Sequence, residues 1–169
     1  YKLKVLKFKS LSQIKPYVNK LFNVLNSAYK PLYGFAPLTE KQIDYYVKMY
    51  VPLLRWDIVT IGIEEETDDV IGFGITVPNL STALQKAKGK LFPFGWYHLW
   101  KALKRQNDIA DLMLMGVAPH YQGKGVNAII FCDFAESAKN CGFKYVESNP
   151  ELEDNNKMVS LWDGFDAVN

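Results

Sequence analysis

Cysteine, arginine and histidine are scarce in this sequence. Its 169 residues include two histidines and two cysteines, and the cysteines, Cys132 and Cys141, make neither a disulfide framework nor a zinc site. Arginine, whose planar fork is the usual clamp for phosphate, occurs only at positions 55 and 105. Nucleic acid is therefore a weak candidate partner, although the first 39 positions hold lysines and no acidic residue. We expect those lysines to lie on the solvent side of a strand and a helix.

Long apolar runs are also missing. The longest, Leu91 to Trp100, spans ten residues and contains a proline, a glycine and a histidine. A membrane-spanning helix needs about 20 apolar residues, so we predict no transmembrane segment. We recognise no signal peptide either, and we expect a reducing, cytoplasmic setting.

The composition predicts one folded domain. With 49% hydrophobic and 22% charged residues, the chain is not intrinsically disordered. The length suits a single domain over residues 1–169. The chain begins at Tyr1 rather than Met and stops at Asn169, shortly after Gly164, where another strand would be natural. We therefore expect a fragment of a longer chain, or a chain that lacks an ordered carboxy-terminal strand.

Periodicity predicts strands and helices in a mixed order. Apolar residues alternate with lysine from Leu3 to Phe8, as in a half-exposed strand, and Thr39 to Gln42 form a capping box that opens a helix to Tyr50. The other predicted elements are a helix from about Ser10 to Tyr29, strands over 57–64 and 69–77, a helix from Ser81, a helix over Tyr97–Arg105, a strand over Ile109–Val117, a helix from Val126 to about Cys141, a strand over 144–147 and a helix over Asn155–Trp162. This order predicts an α/β fold with a mixed sheet.

A helical, aromatic-rich insert at about 79–107 interrupts that order. Five aromatic side chains lie between Leu91 and Trp100. Such a cluster can cap an acceptor pocket, touch a membrane surface, form a dimer contact or complete the core. We predict core packing rather than a substrate role, and we do not expect membrane contact, because lysines flank the cluster but form no long amphipathic stripe.

The segment most informative about chemistry is Gln122–Val126, between a buried strand and a helix. Two glycines let the backbone approach a ligand closely, and the helix start offers free N–H groups and a partial positive charge. Lys124 adds a full charge. These features predict an anion site, while an ordinary strand-to-helix turn remains the simpler alternative.

Two common phosphate motifs fit this loop poorly. A Walker A loop needs Ser or Thr after Gly-Lys, and here Gly125 follows Lys124. Residues 123–128 match the dinucleotide pattern G-x-G-x-x-A, with Glu147 as the acid about 20 residues further on. However, five residues separate the strand from Gly123, and too little chain follows Glu147 for the remaining strands of that fold.

A third motif fits both the spacing and its context. The sequence Gly116-Val-Ala-Pro-His-Tyr-Gln-Gly-Lys-Gly-Val126 resembles the signature of the GNAT superfamily of acyl-CoA N-acyltransferases, and the element order resembles that fold over nearly the whole chain. The resemblance implies that the strand end pairs with the pantetheine arm of coenzyme A and that the loop holds its pyrophosphate. The implied cofactor-binding residues are Met115, Gly116, Val117, Gln122, Gly123, Lys124, Gly125, Val126 and Asn127. Asn127 departs from the pattern, which expects Gly or Ala there.

The resemblance also directs the search for catalytic residues. Acyl transfer to an amine needs a base, a donor for the oxyanion and a proton for the thiolate. Glu147, at the end of the next strand, is the first candidate base, with His120 behind it, and an N–H near Val117 is the candidate donor. By resemblance, Asn155 faces the pantetheine or the sulfur.

The usual acid of the family is a tyrosine on the last short helix. Trp162 or Ser160 stands in that place here, depending on how the motif is aligned. Neither is a competent acid, so water, or another tyrosine such as Tyr145, is left to supply the proton.

These features together predict an N-acyltransferase that moves an acetyl or other acyl group from coenzyme A to a primary amine. Acetyl-CoA or another acyl-CoA is the expected co-substrate, and no metal is implied. The alternative is a non-catalytic acyl-CoA-binding or regulatory domain of a longer protein. The amine, the acyl length and any homo-oligomer stay open.

Overall fold

The computed structural model describes residues 2–51, 54–104, 108–153, 155–160, 162–164 and 167. The strands are β1 (Leu3–Leu6), β2 (Val59–Glu64), β3 (Asp69–Pro78), β4 (Ile109–Val117) and β5 (Tyr145–Ser148). The helices are α1 (Leu11–Tyr29), α2 (Glu40–Tyr50), α3 (Ser81–Lys86), α4 (Gly95–Leu103), α5 (Val126–Asn140) and α6 (Asn156–Val159). The predicted α/β class with a mixed sheet is confirmed.

The sheet has the strand order β1-β2-β3-β4-β5. The first four strands pair antiparallel, and β5 pairs parallel to β4. Apolar residues of α1, including Ile14 and Leu21, pack with Ile61 and Phe73 on one face of the sheet. Residues of α5 pack with Leu112 on the other face. The two helical layers explain why β4 reads as a nearly continuous apolar run.

Most predicted boundaries hold to within two or three residues. The capping box is present: the side chain of Thr39 accepts a hydrogen bond from the Gln42 backbone N–H, and Gln42 bonds back to the cap. The first strand ends at Leu6 rather than at Phe8, because Phe8 turns into the core beside Ile14. Arg105, the predicted end of α4, lies outside the described residues.

The prediction that the insert aromatics pack in the core is wrong. Helices α3 and α4 contact each other, and α4 buries only its small residues Gly95 and Ala102. Phe92 and Phe94 are 80% and 74% exposed. The core is complete without them, because the described helices α1 and α5 already cover the two faces of the sheet.

Among the residues that the structure describes, no helix has both the length and the apolar character needed to cross a bilayer.

Candidate active site

A gap opens in the sheet between β4 and β5. The two strands pair from Ile109 and Tyr145 as far as Leu112 and Ser148. Beyond that point β4 continues to Val117, paired on its other side with β3. The last five residues of β4 therefore form a sheet edge that faces the gap.

A β-bulge in β4 lies where the gap begins. Leu114 pairs with Ile75 and Leu112 pairs with Thr76, so Met113 is the extra residue. A bulge bends its strand and re-aims the neighbouring side chains. Here Met113 and Leu114 both line a cleft on the α1 face of the sheet.

The ladder directs polar backbone groups of β4 into the gap. The Ala118 N–H donates to the Ile71 carbonyl over 2.8 Å, which makes Val117 and Gly72 a non-hydrogen-bonded pair. By alternation, the N–H and C=O groups of Met115 and Val117 point away from β3. The carbonyls already accept hydrogen bonds, from the Tyr29 hydroxyl to Met115 (2.8 Å) and from the Gln122 amide to Val117 (3.2 Å).

The glycine turn before α5 is open. Gly123 and Gly125 have φ values of +74° and +82°, which strongly favour glycine, and a Cβ built at either position would meet no atom within 4 Å. No side chain caps the helix start. The helix itself is anchored on the sheet by Val126 and Ile130, which are fully buried. The first N–H groups of α5 are thus held rigidly beside open space.

Side chains of the loop leave that space accessible. The Lys124 ammonium lies 5.5 Å from the ring centre of Tyr121, and Asn127 is half-buried. The arrangement fits a phosphate group, since backbone N–H groups and a helix N-terminus are neutralising partners for an anion. The glycine turn and the gap lie at the same end of β4, so one extended molecule can contact both.

Two carboxylates share an amide at the other end of the gap. Asp111 and Glu147 are paired residues of β4 and β5. The buried Asn79 side chain donates to both, over 2.8 Å to Asp111 and 3.0 Å to Glu147. Burial raises the pKa of the Asp111 carboxyl, the hydrogen bond from Asn79 lowers it, and the charge of Glu147 raises it again. This pair is suited to hold a proton.

The predicted catalytic residues are not all near the gap. Glu147 lies beside it, four strand residues or roughly 13 Å along β4 from the level of Met115. Asn155 begins α6, where its carbonyl accepts from the Met158 N–H. His120 is exposed in a short 3-10 turn, and Tyr145 lies at the far end of β5, opposite Ile109.

Trp162 stands where GNAT enzymes usually have their acid, and here it packs against its neighbours. Its ring contacts Phe131 edge-on with centres 5.6 Å apart, and its indole N–H donates to Glu151 over 2.7 Å. Ser160 is exposed near the end of α6.

Two residues at the gap were missed from the sequence. Asp111 is the one acid in an otherwise apolar strand, and that exception is a usable signal. Tyr29 gave no signal, because only the fold brings the end of α1 against β4. Burial raises the pKa of its hydroxyl above the usual value, so Tyr29 carries its proton at neutral pH.

An apolar cleft of about 510 Å³ leads from the gap between α1 and α2. Val18 and Leu25 of α1, Val47 of α2, and Met113 and Leu114 of β4 are among its lining residues. In the described part of the chain, no charged side chain lines this cleft. The cleft thus suits a hydrocarbon chain whose polar end lies at the bulge of β4.

No family model matches the sequence. A curated relative, the bacterial ceramide synthase of Caulobacter vibrioides, is 27% identical over 162 residues. That match covers 93% of this chain, and the chain spans 42% of the relative's length.

Solved structures resemble the fold over nearly its whole length. A GCN5-related N-acetyltransferase from Kribbella flavida has a TM-score of 0.63 at 17% identity, with 96% of this chain and 80% of that chain covered. A GNAT family acetyltransferase from Brucella melitensis in complex with acetyl-CoA has a TM-score of 0.57 at 11% identity, with 93% and 81% covered. The chain therefore has the fold of the GNAT acetyltransferases.

Proposed function

We propose that this domain is an acyl-CoA-dependent N-acyltransferase. The observation that carries the proposal is the alignment of three features along β4. They are an open glycine turn, a sheet edge whose N–H groups point away from β3, and a carboxylate pair. Acyl transfer needs an anion cradle, an oxyanion donor and a proton acceptor in this kind of sequence. The acetyl-CoA complex of the Brucella melitensis neighbour supports acyl-CoA as co-substrate.

Coenzyme A would lie along the edge of β4. The proposed contacts are the backbone of residues 122–127 to the pyrophosphate and the backbone of Met115 to Val117 to the pantetheine arm. The N–H of Met115 or Val117 would donate to the thioester carbonyl, where negative charge develops. Asn155 is kept as a proposed sulfur-side contact.

The proton balance uses groups at both ends of the gap. The amine nitrogen forms the new C–N bond while the C–S bond breaks, and the thiolate leaves as a thiol. Glu147 and Asp111 would take the ammonium proton through water, since roughly 13 Å along the strand is too far for direct contact. Tyr29, whose hydroxyl lies at the Met115 carbonyl, would give its proton to the thiolate. The second proton, which the nitrogen loses as the amide forms, would then return to Tyr29.

The apolar cleft indicates the class of amine. It reaches β4 from the α1 face, whereas the glycine turn belongs to α5 on the opposite face. The acceptor would therefore enter by the cleft, with its amine at the bulge and a hydrocarbon chain between α1 and α2. The relative's name agrees, because a ceramide is the N-acyl derivative of a long-chain amino alcohol.

The first experiment measures acetyl-CoA binding by calorimetry. Gly125→Glu places a carboxylate in a left-handed turn at the helix start, and we expect at least about a tenfold loss of affinity, which is about 1.4 kcal/mol. Gly34→Glu is the matched control, since Gly34 also has positive φ (+74°) and open space around it. Equal affinity for wild type and Gly125→Glu would mean that the loop is not the site.

The second experiment records turnover against pH for Asp111→Asn and Glu147→Gln. The raised pKa of Asp111 places the acid limb of kcat/KM at a higher pH than for an ordinary carboxyl. Removing either carboxylate ends the interaction between the two groups and therefore moves the acid limb of the kcat/KM profile. A limb unmoved in both variants would remove the pair from the mechanism.

The alternative is an acyl-CoA-binding domain without activity. The observation in its favour is that Trp162, at the place of the usual acid, is half-buried against Phe131 and bonded to Glu151. Binding of coenzyme A, with no turnover of short or long amines by wild type, would select it.

A further inference from the structure

The outer side of α4 is aromatic where a surface helix is normally polar. Gly95 and Ala102 face inward, whereas Trp96, Tyr97 and Trp100 are each about half exposed. The Tyr97 ring lies 6.3 Å from Trp96 and is stacked on Trp100 at 6.3 Å. The rings thus contact one another and the solvent.

The loop before α4 extends this surface. Leu91, Phe92 and Phe94 are all exposed, and with the three rings of α4 they form what we call the aromatic face. The loop is tightly closed on the helix, since a Cβ at Gly95 would lie 1.7 Å from the Lys90 carbonyl oxygen. A contiguous apolar surface of this kind marks an interaction site.

The charges that flank the aromatic face along the chain are all positive. The sequence has no Asp or Glu between Asp69 and Asp108. The exposed lysines of this stretch are Lys86, Lys88, Lys90, Lys101 and Lys104. The Lys104 ammonium lies 5.7 Å from the Trp100 ring centre, so charge and ring are presented together. The partner must therefore combine negative charge with an apolar layer.

We propose that the aromatic face docks on an anionic lipid bilayer. Tryptophan and tyrosine favour the boundary between headgroups and acyl chains, and lysines around them attract anionic headgroups. The carboxy-terminal end of α4 lies near the apolar cleft: Leu54 lines that cleft and also a second groove, which Leu103 of α4 and the following Lys104 line. The inference stands apart from the proposed acyl transfer, because it needs no bound coenzyme A.

The test is sedimentation of the intact chain with vesicles of equal parts phosphatidylglycerol and phosphatidylcholine. We expect wild type to bind these vesicles at least about tenfold better than pure phosphatidylcholine and to lose binding in high salt. Brominated acyl chains should quench its tryptophan fluorescence, because Trp96 and Trp100 enter the boundary. Phe92→Ser with Phe94→Ser should weaken binding several-fold, and Lys86→Glu with Lys88→Glu should remove the preference for anionic lipid.

Tyr33→Ser is the matched control, because Tyr33 is also exposed (87%) but lies outside the insert. Thermal melts check that every variant folds, and these surface changes should leave the melting temperature nearly unchanged. Absence of vesicle binding by wild type would overturn the proposal. So would lysine-dependent binding without tryptophan quenching, or a dimer in solution that the Phe92 and Phe94 changes dissociate.

Discussion

The cleft between α1 and α2 and the aromatic face of the insert are both apolar, yet they present that surface in opposite ways. The cleft turns aliphatic and aromatic side chains inward around about 510 Å³ and has no charged lining residue among those described. The aromatic face turns rings outward among lysines. An enclosed space selects a single chain by its shape, whereas an open surface selects by charge and by depth of insertion. Similar hydrophobicity therefore predicts two different kinds of ligand.

The largest expected effect comes from filling the cleft. Val47→Trp projects an indole into it, so turnover of long-chain amines should fall by at least about tenfold in kcat/KM, or about 1.4 kcal/mol. Short amines should be affected much less, since they do not occupy the cleft. The matched control is Lys48→Trp, because Lys48 is exposed on the other side of α2. Equal losses for short and long amines would contradict a chain-binding cleft.

The connection between the carboxylate pair and the first helix of the insert is the next place to test. Asn79 joins both carboxylates and accepts from the Ser81 N–H at the start of α3 over 2.9 Å. Asn79→Ala should destabilise the fold by about 1 kcal/mol, because it removes the hydrogen bonds that the buried amide makes to Asp111, Glu147 and the Ser81 N–H. Thermal denaturation measures the loss. A melting temperature equal to that of wild type would mean that the carboxylates are hydrated instead.

A smaller effect should distinguish the aromatic face from the cleft by comparing substrate in vesicles with substrate in detergent micelles. With Phe92→Ser and Phe94→Ser together, turnover of a long-chain amine in anionic vesicles should fall by roughly two- to fivefold, from weaker interfacial binding. The same amine in detergent micelles should react at the wild-type rate. A loss in both media would mean that the aromatic face also shapes the active site.

The smallest effect concerns the carboxylate pair of Asp111 and Glu147. The pKa of Asp111 is raised in the folded state, so its contribution to stability is present at low pH and lost as pH rises through the folded pKa. Asp111→Asn should therefore match wild type at acidic pH and exceed it at neutral pH. The gain should be a few degrees at most, because about 1 kcal/mol shifts a domain of this size by roughly 2–4 °C. A lower melting temperature at neutral pH would contradict it.

The sequence predicted a helix or strand accurately where a single local motif marks its start or end. The Thr39 capping box set the start of α2, and the apolar run of β4 was predicted to the residue. The glycines at positions 123 and 125 predicted a tight turn before α5, and both have positive φ in the structure. Signals of this kind depend on neighbouring residues, so no knowledge of the rest of the chain was needed.

The candidate site was only half visible from the sequence, because half of it is built by contacts between distant segments. Glu147 was predicted from its place at a strand end, but its shared amide with Asp111 requires Asn79, 68 residues away. The hydroxyl of Tyr29 reaches the Met115 carbonyl across 86 residues. The insert was misjudged for the same reason: aromatic composition predicts burial, but the core had no room left for those rings.

By itself, the sequence determined the order of strands and helices, the glycine turn and the apolar character of β4, because these follow from backbone preferences and periodicity over a few residues. Tertiary structure alone decided that β5 stops at Ser148 and leaves the end of β4 open, that α1 and α2 stand apart around a cleft, and that the insert faces outward. Those outcomes depend on which surfaces compete for the same space, and that competition is settled only when the whole chain packs.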